Sequence, residues 1–152
     1  METVSVESQT ATANITLHPE RSESRKTLDF SPTRVWATLP AAYQALPLPI
    51  DGLDNTRRSI SGTANPYRQF LGSPVSRFVD CGSTIVGPSA DSYTVHLRVR
   101  SEVDSVGAAS SGVTTSVDAT GNSSGSIVRC TSTGLIERMV NDQVEALLAG
   151  QK

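Results

Sequence analysis

Cys81 and Cys130 are the two thiols of the chain, set in Val79-Asp80-Cys81-Gly82 and Val128-Arg129-Cys130-Thr131. Both fall in strand-like segments far apart in sequence. Three chemistries are open to them. As free buried thiols they would act as small hydrophobes. As a reactive thiol, either one would need a nearby basic residue in a helix-N-terminus setting to lower its pKa, and neither has one in sequence. As a disulfide, they would close a loop of about 50 residues and stabilise the fold by about 4 kcal/mol in the chain-entropy description. The disulfide is the reading we favour, because two lone cysteines in a Ser/Thr-rich, Lys-poor chain fit an exported protein.

Other reactive constellations are weaker. His18 and His96 lie outside any metal-ligand spacing and there is no Cys-x-x-Cys, so no metal site is expected. Asp51 and Asp54 sit in a Gly/Asn turn, Asp80 precedes Cys81, and Asp91 opens a strand; these read as turn and strand-end residues. No Gly-x-Ser-x-Gly elbow and no phosphate-binding Gly-Lys-Ser/Thr loop occurs. No catalytic residue and no cofactor is expected. His96, on the polar side of its strand, reads as a solvated histidine.

Residues 57 to 100 hold six arginines against two aspartates, with Tyr67, Phe70, Phe78 and Tyr93 interleaved. Arg57, Arg68, Arg98 and Arg100 are the candidate basic surface. A single-stranded RNA surface has this composition, but so does the wet face of a sheet whose aromatics point inward. The second reading is preferred, and nucleic acid is not expected as a partner.

The frame that must hold these residues follows from length and pattern. A chain of 152 residues with net charge −2 suits one domain and no strongly basic binding role. Serine and threonine number 37 against two lysines, read as an extensively hydroxylated surface. Residues 1–24 are polar with weak alternation, an extension or edge hairpin; 25–150 form the domain. Ser31 caps and Pro32 opens a helix over 32–46, with Val35, Trp36, Leu39, Tyr43 and Leu46 on one stripe and a bend at Pro40. Strands are expected over 25–30, 57–62, 67–71, 78–86, 92–99, 113–119 and 126–131, and Ser105–Gly112 as a flexible loop. Tyr93, Val95, Leu97 and Val99 alternate with polar residues, the mark of a half-buried antiparallel strand. A second helix runs from a Thr133 cap to Gly150, with Ile136, Met139, Val140, Val144, Leu147 and Leu148 as its apolar stripe. The fold class predicted is α+β: a curved antiparallel sheet of five to six strands with both helices on one face.

Several segments carry a resemblance to a known family. Ser31 to Gly62, with Val35-Trp36 opening a helix, Leu48-Pro49-Ile50 as a turn and Ile60-Ser61-Gly62 ending a strand, resembles the helix-grip domains of the outer-membrane assembly lipoprotein BamC. Asp80-Cys81-Gly82, Ala90-Asp91-Ser92-Tyr93 and Cys130-Thr131-Ser132-Thr133-Gly134-Leu135 are similar to bacterial envelope proteins of unknown role. The resemblance spans about residues 25–148 and identifies no functional residue. It implies a non-catalytic module that binds an envelope protein.

The function expected is therefore a non-enzymatic, exported interaction or scaffold domain, periplasmic or anchored to the outer membrane. Membrane contact would come only through a lipid anchor lost with a leader that this chain, beginning Met1-Glu2-Thr3-Val4, does not carry. The alternative is a carrier of a small apolar ligand, held between sheet and helix by Trp36, Tyr43, Tyr93 and Leu147.

Overall fold

The computed structural model describes residues 21–123 and 125–150. Expectations for residues 1–20 lie outside the described part. The chain opens with β1 (Arg21–Leu28), then α1 (Pro32–Ala45), β2 (Ile50–Asp54) and β3 (Ser59–Ala64). Short pieces follow: β4 (Gln69–Phe70), β5 (Ser73–Pro74), β6 (Val79–Asp80), β7 (Ser83–Thr84) and β8 (Gly87–Pro88). Two long strands, β9 (Thr94–Gly107) and β10 (Ser110–Ser123), then β11 (Ser126–Ser132) and α2 (Leu135–Ala149), complete it. The main sheet is antiparallel and seven-stranded, in the order β2-β3-β9-β10-β11-β6, with β1 also paired to β10. Both helices pack on one face of it, against each other and the sheet. This is the helix-grip arrangement.

The β9–β10 hairpin is the spine. Val95, Leu97, Val99, Ser101 and Val103 are buried, and the alternate residues from Thr94 to Asp104 are exposed. One face thus meets the helices and the other meets water, as the period of two requires. The predicted flexible loop 105–112 is instead strand on both sides of a two-residue turn, Ala108–Ala109. Its Gly/Ala/Ser composition hid a ladder that β1 completes on β10 from Ser111 to Asp118. The strand predicted over 25–30 likewise begins earlier, at Arg21.

Two further expectations change. The segment 78–86 is not one strand: pairing stops at Asp80, and Gly82 takes a φ of 93° that turns the chain away. The segment 50–54, read as a turn, is an edge strand, and the turn lies beyond it at 55–58.

The helices begin as their caps dictate. The Ser31 hydroxyl accepts from the Arg34 amide, and Pro32 occupies the first turn, where its missing N–H costs nothing. Pro40 lies inside α1 and removes one bond from the ladder. At α2 the cap is Gly134, at φ 91°, rather than Thr133. The Thr133 hydroxyl donates instead to the carbonyls of Arg77 and Phe78, tying the start of α2 to the segment before β6. Glu137, in the first turn of α2, is fully buried and accepts from Ser132 Oγ at 2.8 Å.

The interior between sheet and helices holds a chain of hydroxyls as well as aliphatic groups. Tyr43 OH lies 2.9 Å from Ser101 Oγ, Ser101 Oγ 2.8 Å from Thr115 Oγ1, and Thr115 Oγ1 2.7 Å from Asn141 Oδ1. Asn141 Nδ2 donates to the Ser24 carbonyl. The direction of every proton follows. Asn141 Oδ1 can only accept, so Thr115 donates to it; Ser101 must then donate to Thr115, and Tyr43 to Ser101. Burial pushes the Tyr43 phenol well above its ordinary pKa, and a Coulombic push from Asp51 adds to it. The donor at the head of the chain therefore stays protonated.

Replacing Thr115 by valine keeps the shape and removes the link. It strands the Asn141 carbonyl and the Ser101 hydroxyl in a dry interior, a cost of about 1–3 kcal/mol. Urea unfolding of Thr115→Val should show a loss in that range, with Tyr43→Phe, which removes only the donor at the end, losing less.

Candidate functional site

The disulfide end of the sheet is built around Cys130. On β11 it is fully buried and lies opposite Ala119 of β10. Cys81 follows β6, whose Asp80 pairs with Thr131. The two cysteines are joined, with Cα atoms 4.2 Å apart and a sequence separation of 49. Gly121 makes room: a Cβ there would meet Tyr93 Cδ2 at 2.7 Å and the two sulfurs at 3.3 and 3.4 Å.

Beyond Cys81 the chain leaves as a small hairpin. Asp80 Oδ1 accepts from the Gly82 amide at 2.8 Å, and the Ser89 amide donates to the Gly82 carbonyl at 2.9 Å, closing its base. The short pair β7–β8 follows, and its far end carries Ile85 and Val86, 105% and 89% exposed. Ser89 and Ala90 return buried, and Asp91 accepts from both the amide and the hydroxyl of Ser76 at 2.8 Å. A fixed foot thus carries an apolar tip. The strand reading of 78–86 stops at the breaker pair Gly87-Pro88 and so runs through the turn at Ile85-Val86.

The outer face of the sheet carries the second feature. A hollow of about 200 Å³ opens there, lined by Gly52, Leu53, Asp54, Ser59, Ser61, Arg98 and Arg100. Arg98 and Arg100 project from the wet face of β9, in register with Thr63 and Ser61 of β3. Arg100 is held: its Nε donates to Ser59 Oγ at 3.1 Å and its terminal nitrogen to Glu102 at 2.7 Å. Arg98 has no ion-pair partner among the described residues. Asp51 is satisfied elsewhere, accepting from the hydroxyls of Ser61 and Thr63. Those two bonds, with Thr63 the stronger cause, hold its carboxyl below the usual aspartate range, and the nearby Arg98 charge adds to them. A smaller hollow of about 90 Å³ lies alongside, between Arg100, Glu102 and Glu23. Further along the face Arg25 makes a two-pronged bond to Asp104, at 2.6 and 2.9 Å, across Gly112, where a Cβ would collide with the guanidinium.

Of the basic residues predicted from sequence, the structure brings Arg98 and Arg100 together. Arg57 and Arg68 are not among the residues lining the hollow. Arg57 donates its amide to Asp54 in the β2–β3 turn, and Arg68 lies 5.2 Å over the Tyr67 ring. The four residues proposed for an interior ligand cavity line neither hollow. Trp36 Nε1 donates to Asn55 Oδ1 at 3.0 Å, Tyr43 heads the buried hydroxyl chain, Tyr93 packs by Gly121, and Leu147 packs against the core. Ser59, Ser61, Ile85 and Val86 were not singled out in sequence. His96 is exposed, 2.8 Å from Asn65 Oδ1.

No family model and no curated protein matches the chain. Among solved structures it is similar to norcoclaurine synthase from Thalictrum flavum, in a complex with dopamine and hydroxybenzaldehyde, at 11% identity over 87% of each chain and a TM-score of 0.48. It is also similar to the Zhui aromatase/cyclase from Streptomyces sp. R1128, at 14% identity over 83% of this chain and 84% of that one, with a TM-score of 0.40. They bring no support for the resemblance to the lipoprotein BamC. Both neighbours are enzymes by name, and the expectation of a non-enzyme is not kept. A missing catalytic motif does not make this chain non-catalytic.

Two measurements test the local chemistry. Replacing both cysteines by serine should lower unfolding free energy by about 4 kcal/mol for a loop of this length, read by chemical denaturation. The lowered pKa of Asp51 means that its stabilisation is complete above the unfolded-state value and is lost as pH falls through the folded one. Asp51→Asn should therefore be less stable than the parent at neutral pH, and the two should converge on acidification.

Proposed function

We propose that this chain is an exported recognition domain of the bacterial envelope, docking on an envelope protein through the hairpin that the Cys81–Cys130 bond fastens. The observation that carries this is the complete exposure of Ile85 and Val86 on a foot held by a disulfide and a ring of hydrogen bonds. Two adjacent aliphatic side chains in water gain about 1.5–3 kcal/mol each when a partner covers them. A tip already fixed in place loses little entropy on docking. The charges of this excursion are Asp80 and Asp91, with no cation from 79 to 92. That suits an apolar groove with a basic rim on a protein better than an anionic lipid surface.

The oxidising compartment rests on the disulfide, since such bonds persist outside the reducing cytosol. Periplasmic residence and any outer-membrane anchoring are part of the same proposal.

The test uses a photo-crosslinking residue in place of Ile85, in the producing cell. The expected result is one discrete adduct, competed away by excess unlabelled parent and not by the double variant Ile85→Ser/Val86→Ser. That variant should melt with the parent, within about 0.5 kcal/mol, because its side chains bury nothing in the isolated chain. Labelling no different from a probe at exposed Thr27 would sink the docking proposal. Two thiols that alkylate fully in unreduced, acid-quenched cells would sink the exported compartment.

A further inference from the structure

We propose that the hollow between the β2–β3 hairpin and β9 binds a small molecule bearing both a carboxylate and an amine, the chemistry of a free α-amino acid. The inference stands on the bonding capacity that the hollow leaves unused, and it does not depend on the hairpin tip.

The donors come first. Arg98 lines the hollow with a guanidinium that no carboxylate among the described residues engages. Of the acids around it, Asp51 has both oxygens taken by the hydroxyls of Ser61 and Thr63, and Asp118, its cross-strand partner on β10, makes no ion pair with it. A guanidinium in this state offers a planar fork of N–H groups, which matches a carboxylate two-pronged. Ser59 adds to it: its oxygen accepts from Arg100 Nε, so its own proton is left to donate. Arg100, pinned by Ser59 and Glu102, contributes a fixed positive wall.

One acceptor is also left over. Asp54 spends Oδ1 on the amides of Thr56 and Arg57, at 3.0 and 3.2 Å. Its other oxygen has no hydrogen-bond partner among the described residues, and Asp54 lines the hollow. The opening therefore presents an arginine fork and a carboxylate oxygen from different walls. With Asp51 and Glu102 adjacent, the local charge does not favour a bare polyanion. A ligand that carries its own positive group answers both walls. Leu53, 52% exposed at the rim, offers an apolar surface for a side chain.

The experiment titrates the whole chain with three probes and follows amide NMR shifts of residues 51–63 and 96–102. Leucine carries both groups, acetate only the carboxylate, methylamine only the amine. Leucine should move these amides at millimolar concentration, with acetate roughly tenfold weaker and methylamine weaker still. Arg98→Gln should remove the response to leucine and acetate alike, while Asp54→Asn should bring leucine down to the level of acetate. Arg98→Lys keeps the charge without the fork and should restore only part of the binding. Unchanged thermal melts for the Arg98 variants would show that they fold. No shift with leucine, an equal response in parent and Arg98→Gln, or acetate binding as well as leucine would each overturn the proposal.

Discussion

The chain of buried hydrogen bonds from Tyr43 through Ser101, Thr115 and Asn141 to the Ser24 carbonyl is the constraint on which the rest of the architecture depends. It runs from α1, across the two central strands, into α2 and out to β1. The Ser101 and Thr115 hydroxyls each have one proton, and each gives it to the next member of the chain. A polar group in a dry interior is costly unless paired, so the helices cannot slide on the sheet without stranding at least one member. Apolar packing alone, through Leu39, Leu97, Val99, Val140 and Val144, would accept several nearby registers. The hydroxyls select one.

The same chain bears on where binding can happen. Tyr43, Leu97, Val99, Thr115, Val140 and Asn141 are all buried where sheet meets helices, and the two hollows described above open on the opposite face. On that face the sheet is organised by charge: Arg25 to Asp104 and Arg100 to Glu102. On the helix side, Lys26 reaches Asp142 and Glu145 of α2 at 2.9 and 2.7 Å. Exposed pairs contribute little stability each. Their consequence here is orientation, because each pair consumes a charge, and Arg98 is left with its fork open.

Much of the frame was legible. The alternation of Tyr93, Val95, Leu97 and Val99 gave the central strand and its two faces; Ser31-Pro32 gave the start of α1; the stripe from Ile136 to Leu148 gave α2. What was hidden was hidden for physical reasons. Residues 105–112 have the composition of a loop, yet they pair across their own hairpin, Ser105 with Ser111 and Gly107 with Ser110, and β1 adds its pairing at Ser111 and Gly112. Gly82 breaks the apolar run 78–86 through a positive φ that periodicity does not register. The abundance of serine and threonine suggested a hydroxylated surface, yet Ser101, Ser111, Thr115 and Ser132 are buried and hydrogen-bonded. Composition counts hydroxyls; it does not say which of them face one another. The Cys81–Cys130 pairing was the favoured of three readings, and the structure joins those two residues.

Tyr43 and Asn141 stand between sheet and helices, each in buried hydrogen bonds. A molecule that displaced either of them would break buried bonds, at about 1–3 kcal/mol for each group left unpaired. A molecule meeting the outer face breaks none of them. It meets instead a strand pair, β2–β3, held by the Asp51 bonds to Ser61 and Thr63, and a guanidinium on the most continuous strand of the sheet. The disulfide has the same effect two strands away, on β11, where it fixes the hairpin base without any aliphatic cover for Ile85 and Val86. Rigid support with unused bonding capacity is the condition for recognition at low entropic cost, and in this chain both instances lie outside the grip.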